Sequence, residues 1–599
     1  MRRLQRIILL SLPLLFVCNF CAPGQAEVQR LPITENQIQK LIQQLGSQDY
    51  GTRKAAQGEL QRLGHQVIDQ LLIAQHDESS EVRLAARELL VRLPIRWTEG
   101  NPSIVDDITR NYFRRSTSEK SAYAKWLVRL EDGIGLAALV QIVRYEPSLS
   151  VAKEAALFVL EDLDREDRKQ VAAFQNAVGK LKGSPRAPAR WLEAFAANLS
   201  GEEISPSVWA KFAEQESELK STSRYNERTI SALYQHSADL AIKQNKPDQV
   251  REAVAKLVEL QKKNEYQILQ TSFWLIEKEQ YEIFRELVWN KFAELQKKVP
   301  LFAYCDFMAK KKEGREKEAK LAADFAFEMT EDDLDFSNPF ERAGLRLQAA
   351  RGLEQREFVE QAIREYQRLM ALENWRMIGM QEDVASYLSE LLHDRQREKE
   401  AAETLETFLN TLEKDQGIDR SDLSTTVSRM HYFWSEHHRQ NGDREKQKAS
   451  LEKAVAAYES DADVLIAMHR LVRADAKWKA KTSKLIATAV ANYETRIQQM
   501  RASGEFEQRE RISTLLNQVA WLVGNTEGDF EKAVQNSRRS LELRPHSAGS
   551  LDTLGRCYFA AGDLDNALNY QRRAVRLQPY AKQIVRQLNE FEKAKSKSQ

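Results

Sequence analysis

The residues best suited to chemistry lie at His431-Tyr432-Phe433-Trp434-Ser435-Glu436-His437-His438, where imidazoles and a carboxylate crowd together. These are metal-ligand types, but the spacing is unfavourable. On a helix His431 and His438 share a face yet sit about 10 Å apart along the axis, too far for one zinc ion with ligands near 2 Å. His437 and His438 point to different faces. The segment reads as the polar face of a repeat helix with Trp434 buried. Glu331-Asp332-Asp333-Leu334-Asp335 lacks the alternating ligands and central glycine of a calcium loop and reads as an inter-repeat loop. Lys310-Lys311-Lys312 is followed by Glu313, Glu316 and Glu318, and Lys593, Lys595 and Lys597 lie in the tail. Both runs read as solvated faces. The sequence has no glycine-rich phosphate loop, paired CxxC, HExxH or GxSxG elbow. No catalytic residue, cofactor site or metal ligand is assigned, and the chain is not expected to be an enzyme.

What must position any functional residue is helix. Only 23 glycines and 14 prolines occur in 599 residues, while hydrophobic residues make up 42% and charged residues 30%, a composition that avoids helix breakers and still supports a core. The 89 basic and 88 acidic residues nearly cancel, so no field gathers nucleic acid, and none is expected as a partner. Arg2, Arg3 and Arg6 precede an apolar run from Ile7 to Phe20, with Gly24-Gln25-Ala26 behind it. That is the layout of a signal peptide over 1–26, so export to the periplasm or medium is expected, with no membrane span after cleavage. Cys18 and Cys21 would leave with it. Cys305 and Cys557 read as buried thiols.

Self-comparison shows two periods. Over Gln37–Leu93 the chain repeats after 30 residues: Arg53 aligns with Arg83, Ala55-Ala56 with Ala85-Ala86, and Leu60 and Leu63 with Leu90 and Leu93. Lys153, Ala155-Ala156, Leu160 and Leu163 form a later copy, and Asp49 and Ser79-Ser80 stand where N-caps belong. These units, over about 33–164, resemble HEAT repeats. At the other end Gly528-Asp529 aligns with Gly562-Asp563, Ala533 with Ala567, Ser540 with Ala574 and Pro545 with Pro579, all at a shift of 34. Leu516, Val519, Ala520 and Val523 align with Leu551, Leu554, Gly555 and Tyr558 at 35. This pair, clearest at 512–579, resembles tetratricopeptide repeats, with Gln571 standing where that family has a large aromatic. Between them the pattern is degraded. Gly314 and Gly442 mark turns, with further candidates at Asn245-Lys246-Pro247, near Gln355-Arg356 and near Arg395-Gln396, spaced forty to forty-six residues from Gly314 onward.

The expected fold is therefore all-α, an α/α superhelical solenoid with an N-terminal HEAT-like and a C-terminal tetratricopeptide-like array. Its segments are a HEAT-like array at 27–182, a linker at 183–206, divergent repeats at 207–504, two tetratricopeptide repeats at 505–579 and a capping helix with basic tail at 580–599. Such an array offers an elongated concave surface. The resemblance places Asn517, Trp521, Asp552, Arg556 and Phe559 on it, residue types that anchor peptides. The function expected is a non-catalytic scaffold or adaptor for other proteins or peptides in an exported, envelope-associated complex. The alternatives are a helical subunit of an envelope enzyme, or a carbohydrate binder. The last would need Trp274, Trp289 and Trp375 clustered on solvent.

Overall fold

The computed structural model describes residues 34–93, 97, 100–219, 224–329, 339–371, 378–416, 423–505 and 508–598. The signal at 1–26, the acidic run at 331–335 and Trp375 lie outside them. The described residues form helices and no strand. None of these helices is long and apolar enough to cross a membrane. The chain divides into two compact units, one ending at Pro94 and the other beginning at Ile95.

The first unit holds two helical hairpins, Glu35–Gln44 with Tyr50–Leu63 and Ile68–Ala74 with Ser80–Arg92. The expected caps form: Asp49 accepts from Thr52 N at 2.7 Å, and Ser79 from Val82 N at 3.4 Å. The repeated basic residue has a structural task. Arg53 Nη1 donates to the carbonyls of Ser47 and Gln48, and Arg83 Nη1 to those of Asp77 and Glu78. Each guanidinium thus closes the turn of its own hairpin by satisfying turn carbonyls that lie ahead of the next helix.

In the second unit the segment 183–206 is not a linker. It carries the helix Ala187–Leu199, which buries Trp191, Leu192 and Phe195. Gly183 turns the chain at φ 78°, but Pro188 lies in the first turn of the new helix, where its missing N–H costs nothing. Pro206, Pro247 and Pro300 also open helices. Arg186, itself buried, donates to the carbonyls of Val143, Arg144 and Glu146 at 2.7–3.0 Å and welds the segment to the helices before it.

From there on, one turn geometry recurs. Asn245, Glu279, Gly314, Glu357, Gln396, Gly442 and Gly562 all have φ between 52° and 85°. In each case the following N–H reaches back five residues, as in Lys246 N to Ala241 O, Gln280 N to Leu275 O, Phe358 N to Leu353 O and Asp563 N to Tyr558 O. These are Schellman closures, which put one residue in the left-handed region. Glycine fills that place in three of the seven, and in the others a larger residue accepts the strain. The Glu279 turn splits the region before Gly314 into units of ordinary length, 34 and 35 residues, and the longer spacing begins only after it. Glu279→Gly is expected to raise stability by about 1 kcal/mol, the usual cost of a left-handed non-glycine residue, as read from urea denaturation. Gly562→Ala should lose a similar amount.

The array in this unit closes on itself. Trp126 Nε1 donates to Glu542 O at 2.8 Å, and Arg509 lies over the Trp126 ring. Arg573 grips both oxygens of Glu131, and Arg576 pairs with Asp164 at 3.2 Å and Glu166 at 3.3 Å. The helices of 103–181 are thereby sealed against the hairpins of 509–577. A second seam joins the last helix, Lys582–Ser598, to the end of Ile378–Asp394. Asp394 accepts from the backbone N–H groups of Lys582 at 2.9 Å and Gln583 at 2.6 Å, acting as an N-cap from 188 residues away. Arg395 and Arg586 then tie Tyr580 O and Asp394 O. The charged seam is the weaker in salt. An Arg573→Glu, Arg576→Glu double variant is expected to open it: the radius of gyration from X-ray scattering should rise while helix content holds. An unchanged radius would show that the remaining contacts keep the seam shut.

Candidate binding cavity

The last two hairpins pair Arg509–Asn525 with Phe530–Leu543 and Ala548–Ala560 with Leu564–Leu577. Small residues in the seam allow their close approach: a Cβ on Gly555 would fall 3.2 Å from Ala567 O and 2.7 Å from Gln571 Oε1. Packing the small and leucine positions outward leaves Asn517, Gln518, Trp521, Gly549, Asp552 and Thr553 on one wall of a cavity of about 510 Å³. The facing wall comes from Arg351, Glu354, Glu390, Leu391, Asp394, Arg395 and Asp463, and Tyr580–Ile584 closes one side.

Three of the five expected groove residues, Asn517, Trp521 and Asp552, meet at this cavity. Trp521 Nε1 donates to Asp463 Oδ1 at 2.9 Å, and Asp463 Oδ2 takes a 2.7 Å bond from Arg429 Nη1. Arg429 also holds both oxygens of Glu390. Burial would push the Asp463 carboxyl up, but Arg429 and the Trp521 N–H outweigh it and hold the group below its usual range. Asp552 is 8% exposed, and its Oδ1 accepts from Gln571 Nε2 at 2.6 Å and Gln587 Nε2 at 3.0 Å. Burial raises its pKa to about 6, against the downward pull of the Gln571 bond and the Arg556 charge. Asn517 Oδ1 is buried with no hydrogen-bond donor.

The other two are engaged by the last helix. Arg556 pairs with Glu590 at 2.8 Å, and Phe559 stacks on Phe591 with ring centroids 4.5 Å apart. Neither borders the cavity. Sequence reasoning missed Glu390, Asp394, Arg429, Asp463 and Gln587, which come from other repeats or from the cap. Gln571 carried a signal: the departure from the aromatic usual at that place supplies the amide that fixes Asp552.

Elsewhere, the ring buried on the Ser424–Gln440 helix is Phe433, while Trp434 is half-buried and stacks on His438, which corrects the expected burial of Trp434. Phe433 takes the core-facing register one residue earlier. Among the described residues, no three His, Cys, Asp or Glu side chains converge as a metal site. Cys305 and Cys557 are free and fully buried, and burial pushes both thiols up, Cys557 to about 12. Trp274 is buried and donates to Asp239, and Trp289 stacks on Phe302. These two do not form the exposed aromatic row that sugar binding would need.

Comparison with known proteins places a tetratricopeptide-repeat family match at residues 548–580. No curated protein sequence matches the chain. Among solved structures, the chain resembles the Naa15/Naa10 complex bound to HypK-THB at 14% identity and a TM-score of 0.25, covering 82% of this chain and 65% of that one. It also resembles the Cut9–Hcn1 hetero-tetramer of the APC/C at 12% identity and 0.25, covering 85% and 90%. Yeast Tom70 gives 13% identity and 0.26, covering 83% and 96%. The chain thus spans 65% of the length of the chain it matches in the first of these structures. Overlaps this loose carry no weight beside the hairpins themselves. The second unit is a closed array of helical hairpins that contains a tetratricopeptide repeat at 548–580.

Proposed function

We propose that this chain is a non-catalytic scaffold that holds partner polypeptides within an exported, cell-envelope-associated complex, its N-terminal part built of HEAT-like repeats. The observation that carries the reading is the cavity itself. It is walled by first helices of repeat hairpins, reached by solvent, and lined by an indole, amides and carboxylates whose positions the surrounding repeats hold fixed. Such fixed polar and aromatic groups recognise a chain segment without reacting with it. The basic start, apolar run and small residues of 1–26 support export.

The test is cross-linked capture from the envelope fraction, comparing the full chain with an Asn517→Leu, Trp521→Ala variant whose helix content is checked first. A partner recovered by the first and lost by the second is expected. Recovery of no protein partner by the full chain would refute the scaffold. Export is checked separately by sequencing the N-terminus of the fractionated protein, expected to begin at Glu27. A cytoplasmic chain that keeps residues 1–26 would overturn the location.

A further inference from the structure

The cavity wall is unbalanced. Glu354, Glu390, Asp394, Asp463 and Asp552 face only Arg351 and Arg395 across it. Three of those carboxylates are already engaged: Arg429 holds Glu390 and Asp463, while Asp394 caps the last helix and lies 3.2 Å from Arg395. Glu354 and Asp552 have no cation within 4 Å among the described residues. Tyr366 donates its hydroxyl to Glu354 at 2.6 Å, and Asp552 has only the two glutamine amides on Oδ1. Asp552 Oδ2 accepts no hydrogen bond, although the side chain is nine-tenths buried and borders the cavity. One hairpin earlier, at the same register, Asn517 Oδ1 is a buried acceptor without a donor.

Buried acceptors left empty cost free energy that a donor recovers. Here the buried Asn517 Oδ1 and the unengaged Asp552 Oδ2, an oxygen of a carboxylate, border one space, and the Trp521 ring borders the same space. An anion would find Arg351 and Arg395 on the wall but would also meet Asp552 and Glu354, whose charges oppose it. A group with several N–H donors and a positive charge satisfies both acceptors, and an indole face favours the same charge.

We infer that the cavity takes a lysine or arginine side chain of a bound polypeptide, with Asp552 Oδ2 and Asn517 Oδ1 as its acceptors and Trp521 beside it. The inference rests on the scaffold reading and specifies what part of the partner enters. It also assigns the strained carboxylate a purpose, since groups that weaken a fold are those a ligand can satisfy.

The test uses the full chain and four capped peptides, Gly-Ser-Xaa-Ser-Gly with Arg, Lys, Gln or Glu at Xaa, titrated by calorimetry. The Arg or Lys peptide is expected to bind at least tenfold more tightly than the Gln peptide, with the Glu peptide weakest. Asp552→Asn should bring the Arg peptide down to the Gln level, as should Asn517→Leu. Thermal melts accompany each variant, and Asp552→Asn is expected to melt higher than the parent, so lost binding there is not lost folding. Equal binding of all four, no binding by any, or an Arg preference that survives Asp552→Asn overturns the inference. Putrescine competing as well as the Arg peptide assigns the cavity to a free cation and overturns it too. Envelope partners that Asp552→Asn still captures would sink this inference and leave the scaffold standing, whereas a full chain with no partner sinks the scaffold.

Discussion

Glu365→Ala is expected to lower the unfolding free energy by about 3–5 kcal/mol, the range for breaking one side of a buried ion pair. Glu365, on the helix Val359–Met370, is fully buried; its Oε1 accepts from the Tyr304 hydroxyl at 2.7 Å and from Arg346 Nη1 at 3.0 Å. Arg346 is buried as well and donates onward to Ala326 O and Met329 O, at the end of the helix Glu316–Glu328. One carboxylate therefore knits consecutive hairpins by holding the guanidinium that closes a helix terminus. Burial pushes the Glu365 carboxyl up while Arg346 and Tyr304 pull it back. Alanine leaves the guanidinium without its charge partner. The check is a double-mutant cycle in urea. Arg346→Met with Glu365→Leu should cost far less than the sum of the single changes, because an apolar pair of similar size needs no compensation. A single-variant loss under 1 kcal/mol would mean that water reaches the pair.

The hairpins were legible wherever the physics behind them is local. Small residues in the seam, Asp49 and Ser79 at N-caps and glycine at Gly528 and Gly562 each leave a mark at a fixed interval, because each meets a local need of the backbone. The turn at Glu279 was obscured since the same left-handed geometry is borne there by a residue that does not announce it, while those at Glu357 and Gln396 fall beside the candidates at Gln355-Arg356 and Arg395-Gln396. Gly183 through Pro188 misled for a related reason: proline ends a helix when it follows one and starts a helix when it lies in the first turn, and composition does not tell these apart. Ring closure was out of reach. Arg573 and Glu131 are 442 residues apart and carry no shared period. The same holds for the site. Repeat register brought Asn517, Trp521 and Asp552 to one surface, but Glu590 and Phe591, on a helix outside the repeat, draw Arg556 and Phe559 away. Gln571, by departing from its family's pattern, hinted at the amide that holds Asp552 from behind the wall.

Closure also changes what the array offers a partner. An open solenoid presents a long groove whose residues act nearly independently. In the second unit the inner surface is instead divided into spaces, the 510 Å³ cavity and another of about 700 Å³ lined by His236, Asp239 and Trp274. Groups there are reached by water yet enclosed by protein, so their charges act on one another more strongly than surface charges do. That enclosure is why Asp552 and His236 are displaced so far, in opposite senses.

Asp552→Asn is accordingly expected to stabilise the fold by roughly 3 kcal/mol at pH 7 and by almost nothing at pH 4. The folded pKa near 6 stands above the ordinary 3.8 because burial penalises the charge. A gap of about two between folded and unfolded values corresponds to roughly 3 kcal/mol. A raised folded pKa means that the native state holds the proton longer, so this group's share of stability is whole below pH 3.8. It drains away as pH rises through 6 and stays lost above that. Asparagine keeps the oxygen that Gln571 and Gln587 need, replaces the oxygen that accepts nothing, and carries no charge to bury. His236 works the other way. Burial first, then the charges of Arg165 and Lys243, hold its folded pKa at about 3 against 6.5, so its share is lost as pH falls through 6.5 toward 3. In the parent chain the two trends oppose each other between pH 4 and 6. Removing Asp552 exposes the His236 slope, and the variant should gain stability steeply over that span. Urea unfolding at half-unit steps of pH, taken as variant minus parent, isolates the group because all other titrations cancel. A difference that is flat with pH would mean that Asp552 titrates as an ordinary surface carboxylate, and the wall built around it would then lack the strained acceptor that a cationic partner needs.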